Sequence, residues 1–319
     1  MRPALLVFLY ALAVAWFVPG VLTRMTAPGI SARLGLAAWL TAMASVLASV
    51  VVATQYLVTA AVAGWSQLAD AVCRSVAGGP CTAVVYRGAA FELALGVAAI
   101  AAALTLAVLA WRYGRGLHRA QRRTRAHAHA ARITGRTLPG AGAAVVLDAR
   151  HPAAYCVPGR PAAIVLTSGA LAVLDPGQLT AVLAHERAHL AGRHHLMIAF
   201  TRGLAASFPG VPLFSQAPAE VTRLAEMCAD DAAARRSGRR VLVAALLAMG
   251  TGTAVPAAAL AATGCAVTAR VQRLLDPAPR ARLARNRLAL ITVIVLLALA
   301  SGLVTRYAGP LAAHGLSAV

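Results

Sequence analysis

The chain has 319 residues, of which 60% are hydrophobic and only 13% charged, with a mean hydropathy of +0.71 and a formal net charge of +20. So apolar a composition excludes an ordinary soluble globule and directs attention to runs of bilayer length. Acid is scarce, ten Asp and Glu against thirty Lys and Arg, so any acidic cluster needs a reason.

Four segments approach the ~20 residues a helix needs to cross hydrocarbon: 4–22, about 36–57, 93–110 and 288–304. The first follows Arg2 as a signal sequence would, but no small-residue cleavage site follows Val21, and it reads as a retained span. Directly after the third span, "RYGRGLHRAQRRTRAHAHAARITGR" holds eight arginines and no acid, and Arg280, Arg282, Arg285 and Arg287 precede the fourth. Basic flanks stay cytoplasmic. The expected arrangement is therefore a multi-pass cell-membrane protein in three parts. Residues 1–111 form three transmembrane helices with an outer loop at about 66–89, 112–287 a basic stem and cytosolic domain, and 288–319 a fourth transmembrane helix and short outer tail. Both termini lie outside. His118, His127 and His129 fall in the stem, which reads as a solvated or lipid-facing helix that contacts membrane lipid. Without interleaved aromatics or a reading motif, direct nucleic-acid binding is not expected.

The cysteines follow this topology. Cys73 and Cys81, in the outer-loop stretch "CRSVAGGPC", are spaced to close a small disulfide loop on the oxidising side. Cys156, Cys228 and Cys265 fall on the reducing side, and no C-x-x-C pair exists to hold a thiolate metal cluster.

Within the cytosolic part, "PAAIVLTSGAL" carries β-branched Ile164, Val165 and Thr167 ahead of Gly169 and reads as a strand. "LDPGQLTAVLAHERAHL" follows, with Asp175 as helix cap, Pro176 at the first helical position and Gln178 as capping-box partner. On that helix His185 and His189 stand four apart, about 40° around the axis, so both imidazoles reach one ion. Glu186 lies beside them. H-E-x-x-H is the zinc-peptidase arrangement: two metal ligands, and a carboxylate that takes a proton from water rather than binding the ion. Two residues compete as third ligand. His195 completes the literal pattern H-E-x-x-H-x-x-G-x-x-H through Gly192. Glu226, in "RLAEMCADDAAARR", stands four residues before Asp230 on a helix expected to end near Gly238. Five of the ten acids lie between Glu186 and Asp231. Leu196–Ser207 is too short to span. The apolar run 241–267 is broken by Gly250, Gly252 and Pro256, which suits two shorter core helices.

The run from Ala154 through "AHERAH", followed by "EMCADD" and a basic-flanked last span, resembles the BlaR/MecR-type integral-membrane metallopeptidases. Those are gluzincins related to the HtpX stress proteases and the CAAX-processing proteases. The resemblance implies a mainly helical α+β zincin-like domain and one zinc ion held by His185, His189 and Glu226. It implies Glu186 as catalytic base and Asp230 as the acid that orients a ligand histidine. It also implies an edge strand, read as 164–167, that pairs with an extended peptide. The implied activity is zinc endopeptidase cleavage of a cytosolic or membrane-adjacent protein in signalling, with a winged-helix repressor of the BlaI/MecI type, or the chain itself, as target. Family members that sense β-lactams carry a penicillin-binding domain after the last span. Only 305–319 follow it here, the expectation for a short form. Arg270 and Arg273 are candidates for charge stabilisation, with structural pairing the simpler reading. The alternative function is a non-catalytic zinc-stabilised membrane scaffold, which would have no use for Glu186.

Overall fold

The computed structural model describes residues 2–27, 30–76, 83–159, 161–251 and 267–314. It is mostly helical with one small sheet. Among the described residues four helices are long and apolar enough to cross a membrane: Ala4–Thr26, Ala32–Trp65, Ala90–Thr134 and Arg280–Leu303. They belong to α1 (Arg2–Thr26), α2 (Ala32–Val76), α3 (Ala83–Thr134) and α10 (Arg280–His314). Cys73 is exposed on α2, and its expected partner Cys81 lies outside the described residues.

α2 is the hub of the apolar bundle and packs against α1, α3 and α10. Apolar side chains gain little by leaving lipid for one another, so hydrogen bonds carry much of the specificity between such helices. Here Ser45 on α2 meets the Tyr10 hydroxyl of α1 at 2.7 Å and accepts from Ser301 of α10 at 2.8 Å. α3 has 52 residues, roughly 78 Å of helix. It continues unbroken through the arginine-rich stretch, so the stem is an extension of the third apolar helix.

The sheet contains β1 (Arg136–Thr137), β2 (Ala144–Leu147), β3 (Ala154–Val157) and β4 (Ala163–Thr167), in the order β1-β2-β4-β3. β2 and β4 are parallel, and the outer pairs are antiparallel. One face packs Val145, Val157 and Val165 against Ala128 and Ala131 at the end of α3. The other packs Ala144, Ile164 and Leu166 against Leu183. β4 is thus covered on both faces and paired on both sides, and all five of its residues are buried. This corrects the expectation that 164–167 is the free edge. The edge is β3. An uninterrupted apolar run marks a strand buried on both faces, whereas a half-exposed strand alternates.

After the short α4 (Ser168–Val173), α5 (Pro176–Ala191) carries the H-E-x-x-H residues. Its start is built as the sequence implies: the Gln178 amide donates to Asp175 Oδ1 at 2.8 Å, and the Asp175 amide donates to Gln178 Oε1 at 3.1 Å. α6 (His194–Ser207) rests on α3, where Phe200 meets Tyr113 edge-on, and on α7 (Pro212–Ser237). α8 (Arg239–Thr251) follows the Gly238 cap, and a helix over 267–275 (α9) precedes α10. The second half of the 241–267 run lies outside the described residues.

α7 joins the two parts of the molecule. Its Leu213, Val221, Leu224 and Cys228 share one buried core with Leu22 of α1, with Trp39 and Met43 of α2, and with Leu290 of α10. A polar contact locks the junction: Arg223 donates to the Thr26 carbonyl at 3.1 Å and pairs with Glu220 at 2.7 Å. Asn286 of α10 donates to the Met25 carbonyl at 2.9 Å.

The start of α5 is a direct test of this local reading. Asp175→Ala should cost about 1 kcal/mol of stability, with Asp175→Asn close to wild type. Thermal unfolding in detergent measures it, and equal melting temperatures for all three proteins would contradict the capping account.

Candidate metal centre

α5 and α7 cross so that the H-E-x-x-H face of one meets the acidic turn of the other. His185 Nε2 and His189 Nε2 lie 3.1 Å apart. Glu226 Oε2 lies 3.4 Å from His185 Nε2, and its Oε1 lies 3.4 Å from His189 Nε2. Nitrogen and oxygen ligands at about 2.0–2.1 Å from a tetrahedral zinc ion stand roughly 3.3–3.4 Å from one another. The three side chains therefore fit a single ion, and their donor atoms all fall within 4.8 Å of each other.

The groups behind them hold that geometry. Asp230, one turn beyond Glu226, is 0% exposed, and its Oδ1 lies 3.1 Å from His185 Nδ1, at ion-pair distance though off the line of a well-formed N–H bond. Arg270 of α9 grips Asp230 with two nitrogens, Nε to Oδ2 at 2.8 Å and Nη2 to Oδ1 at 2.6 Å. Its Nη1 meets Glu226 Oε2 at 3.0 Å. Arg273, one turn on, braces the middle of α7 by donating to the Met227 carbonyl at 3.1 Å and pairing with Asp231 at 2.9 Å. Both arginines thus serve structural pairing, and Arg270 in addition borders the cleft.

The electrostatics follow from burial and these partners. Burial alone would raise both carboxylates, but His185 and Arg270 overcome it at Glu226, and Arg270 and His185 at Asp230, leaving each at about 2. Burial opposes a proton on His185, yet Asp230 and Glu226 lift that ring to about 9. Burial wins at His189, which falls to about 4 despite Glu226. Glu186 is 8% exposed, and burial raises it even though the neighbouring His185 and the Cys156 main chain and thiol favour its charge. A carboxylate raised in this way is a better proton acceptor than one in water. The Cys156 thiol is itself pushed up to about 12 by burial and by Glu186, which disfavours its thiolate.

His195 does not join the converging atoms. It borders the cleft, with a buried Nδ1 that has no hydrogen-bond partner among the described residues. α5 ends at Ala191, Gly192 caps it in a helical conformation, and Arg193 takes the left-handed region at φ 50°. That single residue restarts the chain as α6 and swings His194 back over the first helix, where its Nδ1 lies 3.0 Å from His189 Nδ1. A side chain on Gly192 would overlap the His194 ring, so the glycine serves this close approach. His194 therefore backs His189 as Asp230 backs His185. The histidine pair was visible in the sequence, but its division of labour depends on Arg193 and was not.

The site opens into a cavity of about 390 Å³. Ala154, Tyr155 and Cys156 of the edge strand β3 border it together with His185, Glu186, His189 and Glu226. A main-chain edge, a buried carboxylate and three convergent ligand atoms are thus gathered around one opening.

Comparison with known proteins agrees with this chemistry. No curated protein and no solved structure matches the chain. The model of Peptidase family M48 matches residues 117–278, just over half of it, from the stem through the end of α9. That span contains every residue of the site, and the chain belongs to peptidase family M48, whose members are metalloproteases that typically use zinc.

Proposed function

We propose that this protein is a membrane-embedded zinc endopeptidase that cuts cytosolic or membrane-adjacent proteins in regulated proteolysis. The convergence of His185, His189 and Glu226 beside the buried Glu186 carries the reading. A scaffold would need the first three and not the fourth.

Zinc, when bound, would polarise the scissile carbonyl and make a water acidic. The remaining work belongs to side chains of this protein. Glu186 accepts the proton of the attacking water and returns it to the departing nitrogen. Asp230 and His194 fix the ring orientation of the two histidines, with Arg270 in turn holding Asp230. The edge of β3 offers main-chain donors and acceptors to an extended peptide, the geometry in which a scissile bond is presented flat to the site.

The substrate is expected near the membrane because α7, which supplies Glu226, is packed into the end of the apolar bundle. The basic flanks at 112–136 and 280–287 favour a cytosolic peptidase domain with the outer loop and both termini across the membrane. The BlaR/MecR-like arrangement of the sequence favours a winged-helix repressor, or the chain itself at its stem, as the target. Anionic lipid is the natural neighbour of the stem arginines nearest the membrane.

Three outcomes test this. Glu186→Gln should retain zinc and lose cleavage by about 10²-fold or more. The readout is the fragment pattern of membrane proteomes, including the protein itself, with and without cell-wall stress. Identical patterns for wild type and variant under every condition would return the scaffold reading. Metal analysis of purified variants should find that Glu226→Ala loses zinc and His195→Ala keeps it; the reverse would make His195 the third ligand. Finally, Ala143 is exposed in the loop before β2. A cysteine placed there should escape an impermeant thiol reagent in intact cells, and ready labelling would invert the topology.

A further inference from the structure

One wall of the cavity is unlike the rest. Leu242, Ala245, Leu246 and Met249 all border it. Their spacing of three, four and seven residues is that of a single helical face, so α8 lays one continuous apolar stripe along the opening. Val182 of α5 joins that stripe and borders the same cavity. It stands four residues before Glu186, where helical neighbours have Cβ atoms about 5–6 Å apart. The apolar wall therefore begins one turn from the proton-transferring carboxylate. The charged groups bordering the cavity, Glu186, Glu226 and Arg270, come from α5, α7 and α9, and none comes from α8. Arg239 and Arg240, the charged residues of α8, are exposed and do not border it. Leu246 and Met249 are only half-buried, so part of their apolar surface is left for an occupant.

Resting on the peptidase reading, the geometry points to a specificity subsite: the α8 stripe and Val182 receive the side chain of a substrate residue that flanks the scissile bond, and select an aliphatic or aromatic residue there. A charged side chain would be stripped of water against Leu246 and Met249 with no partner among the described residues of that wall, and burying an unpaired charge is far costlier than burying a methylene. A peptide stretched along β3 stays within reach of α8 because both border one cavity of about 390 Å³. The role of Leu246 and Met249 is thus discrimination among peptides, while the chemistry stays with Glu186 and the convergent ligands.

The test uses the full-length zinc-loaded protein in detergent with a peptide library randomised at the two positions flanking the cut. Wild type should favour Leu, Phe or Met over Asp and Lys by at least about tenfold in kcat/KM at one of the two positions. Leu246→Ala, which adds room without charge, should shift that same position toward Phe and Trp. Met249→Glu, accepted only if it retains zinc, should raise cleavage of Lys-containing peptides there. Cleavage by wild type without apolar preference at either position would overturn the subsite and leave the peptidase reading standing. So would variants whose preferences match wild type. No cleavage of any peptide by wild type would overturn both.

Discussion

The buried pairing of Arg270 with Asp230 is the contact on which the site depends. A carboxylate with no exposure is tolerable only when its lost hydration is replaced by well-placed charge and hydrogen bonds. Arg270 supplies both, with two nitrogens on Asp230 and a third on Glu226. Once Asp230 is held, the His185 ring has a fixed neighbour on its Nδ1 side, and its Nε2 is left facing His189 and Glu226. One guanidinium from α9 thereby sets the positions of two carboxylates on α7 and, through them, of an imidazole on α5. In so acid-poor a chain, this concentration of carboxylates is also what allows a cluster of histidines and an arginine to be buried together.

The second constraint is mechanical. α7 is both a wall of the site and part of the core formed with α1, α2 and α10. Arg223 and Glu220 tie it to the end of α1 less than two turns before Glu226. Close-packed cores transmit displacement instead of absorbing it. The position of Glu226 is therefore referred to the apolar bundle, while His185 and His189 are referred through α5 to the sheet. The site lies at the seam between these two frames, where His194 of α6 meets His189 and Arg270 of α9 meets Asp230 and Glu226.

Much of this could be read from the sequence because it is local. The apolar helices follow from hydropathy alone. The cap at Asp175, the pairing of His185 with His189 and that of Glu226 with Asp230 all follow from helical spacing, which needs no knowledge of the tertiary fold. What escaped depends on partners distant in the chain or on a single backbone conformation. The edge strand beside the site is β3, because β4 is enclosed between β2 and β3, and four residues of "AYCV" carry no alternation to announce an edge. His194 and His195 are adjacent and chemically identical, and only the left-handed turn at Arg193 decides which of them reaches His189. Arg270 and Arg273 look interchangeable on paper. The docking of α9 gives one the buried Asp230 and the other the exposed flank at Asp231.

X-ray absorption at the zinc edge of the purified protein asks whether two imidazoles and one carboxylate of this chain hold a single zinc ion. One zinc per chain is expected, with nitrogen and oxygen neighbours at about 2.0–2.1 Å, including the outer-ring scattering of two imidazoles, and no sulfur. A sulfur shell at about 2.3 Å, which would bring in Cys156 or another thiol, would contradict it, as would a protein that binds no zinc at all.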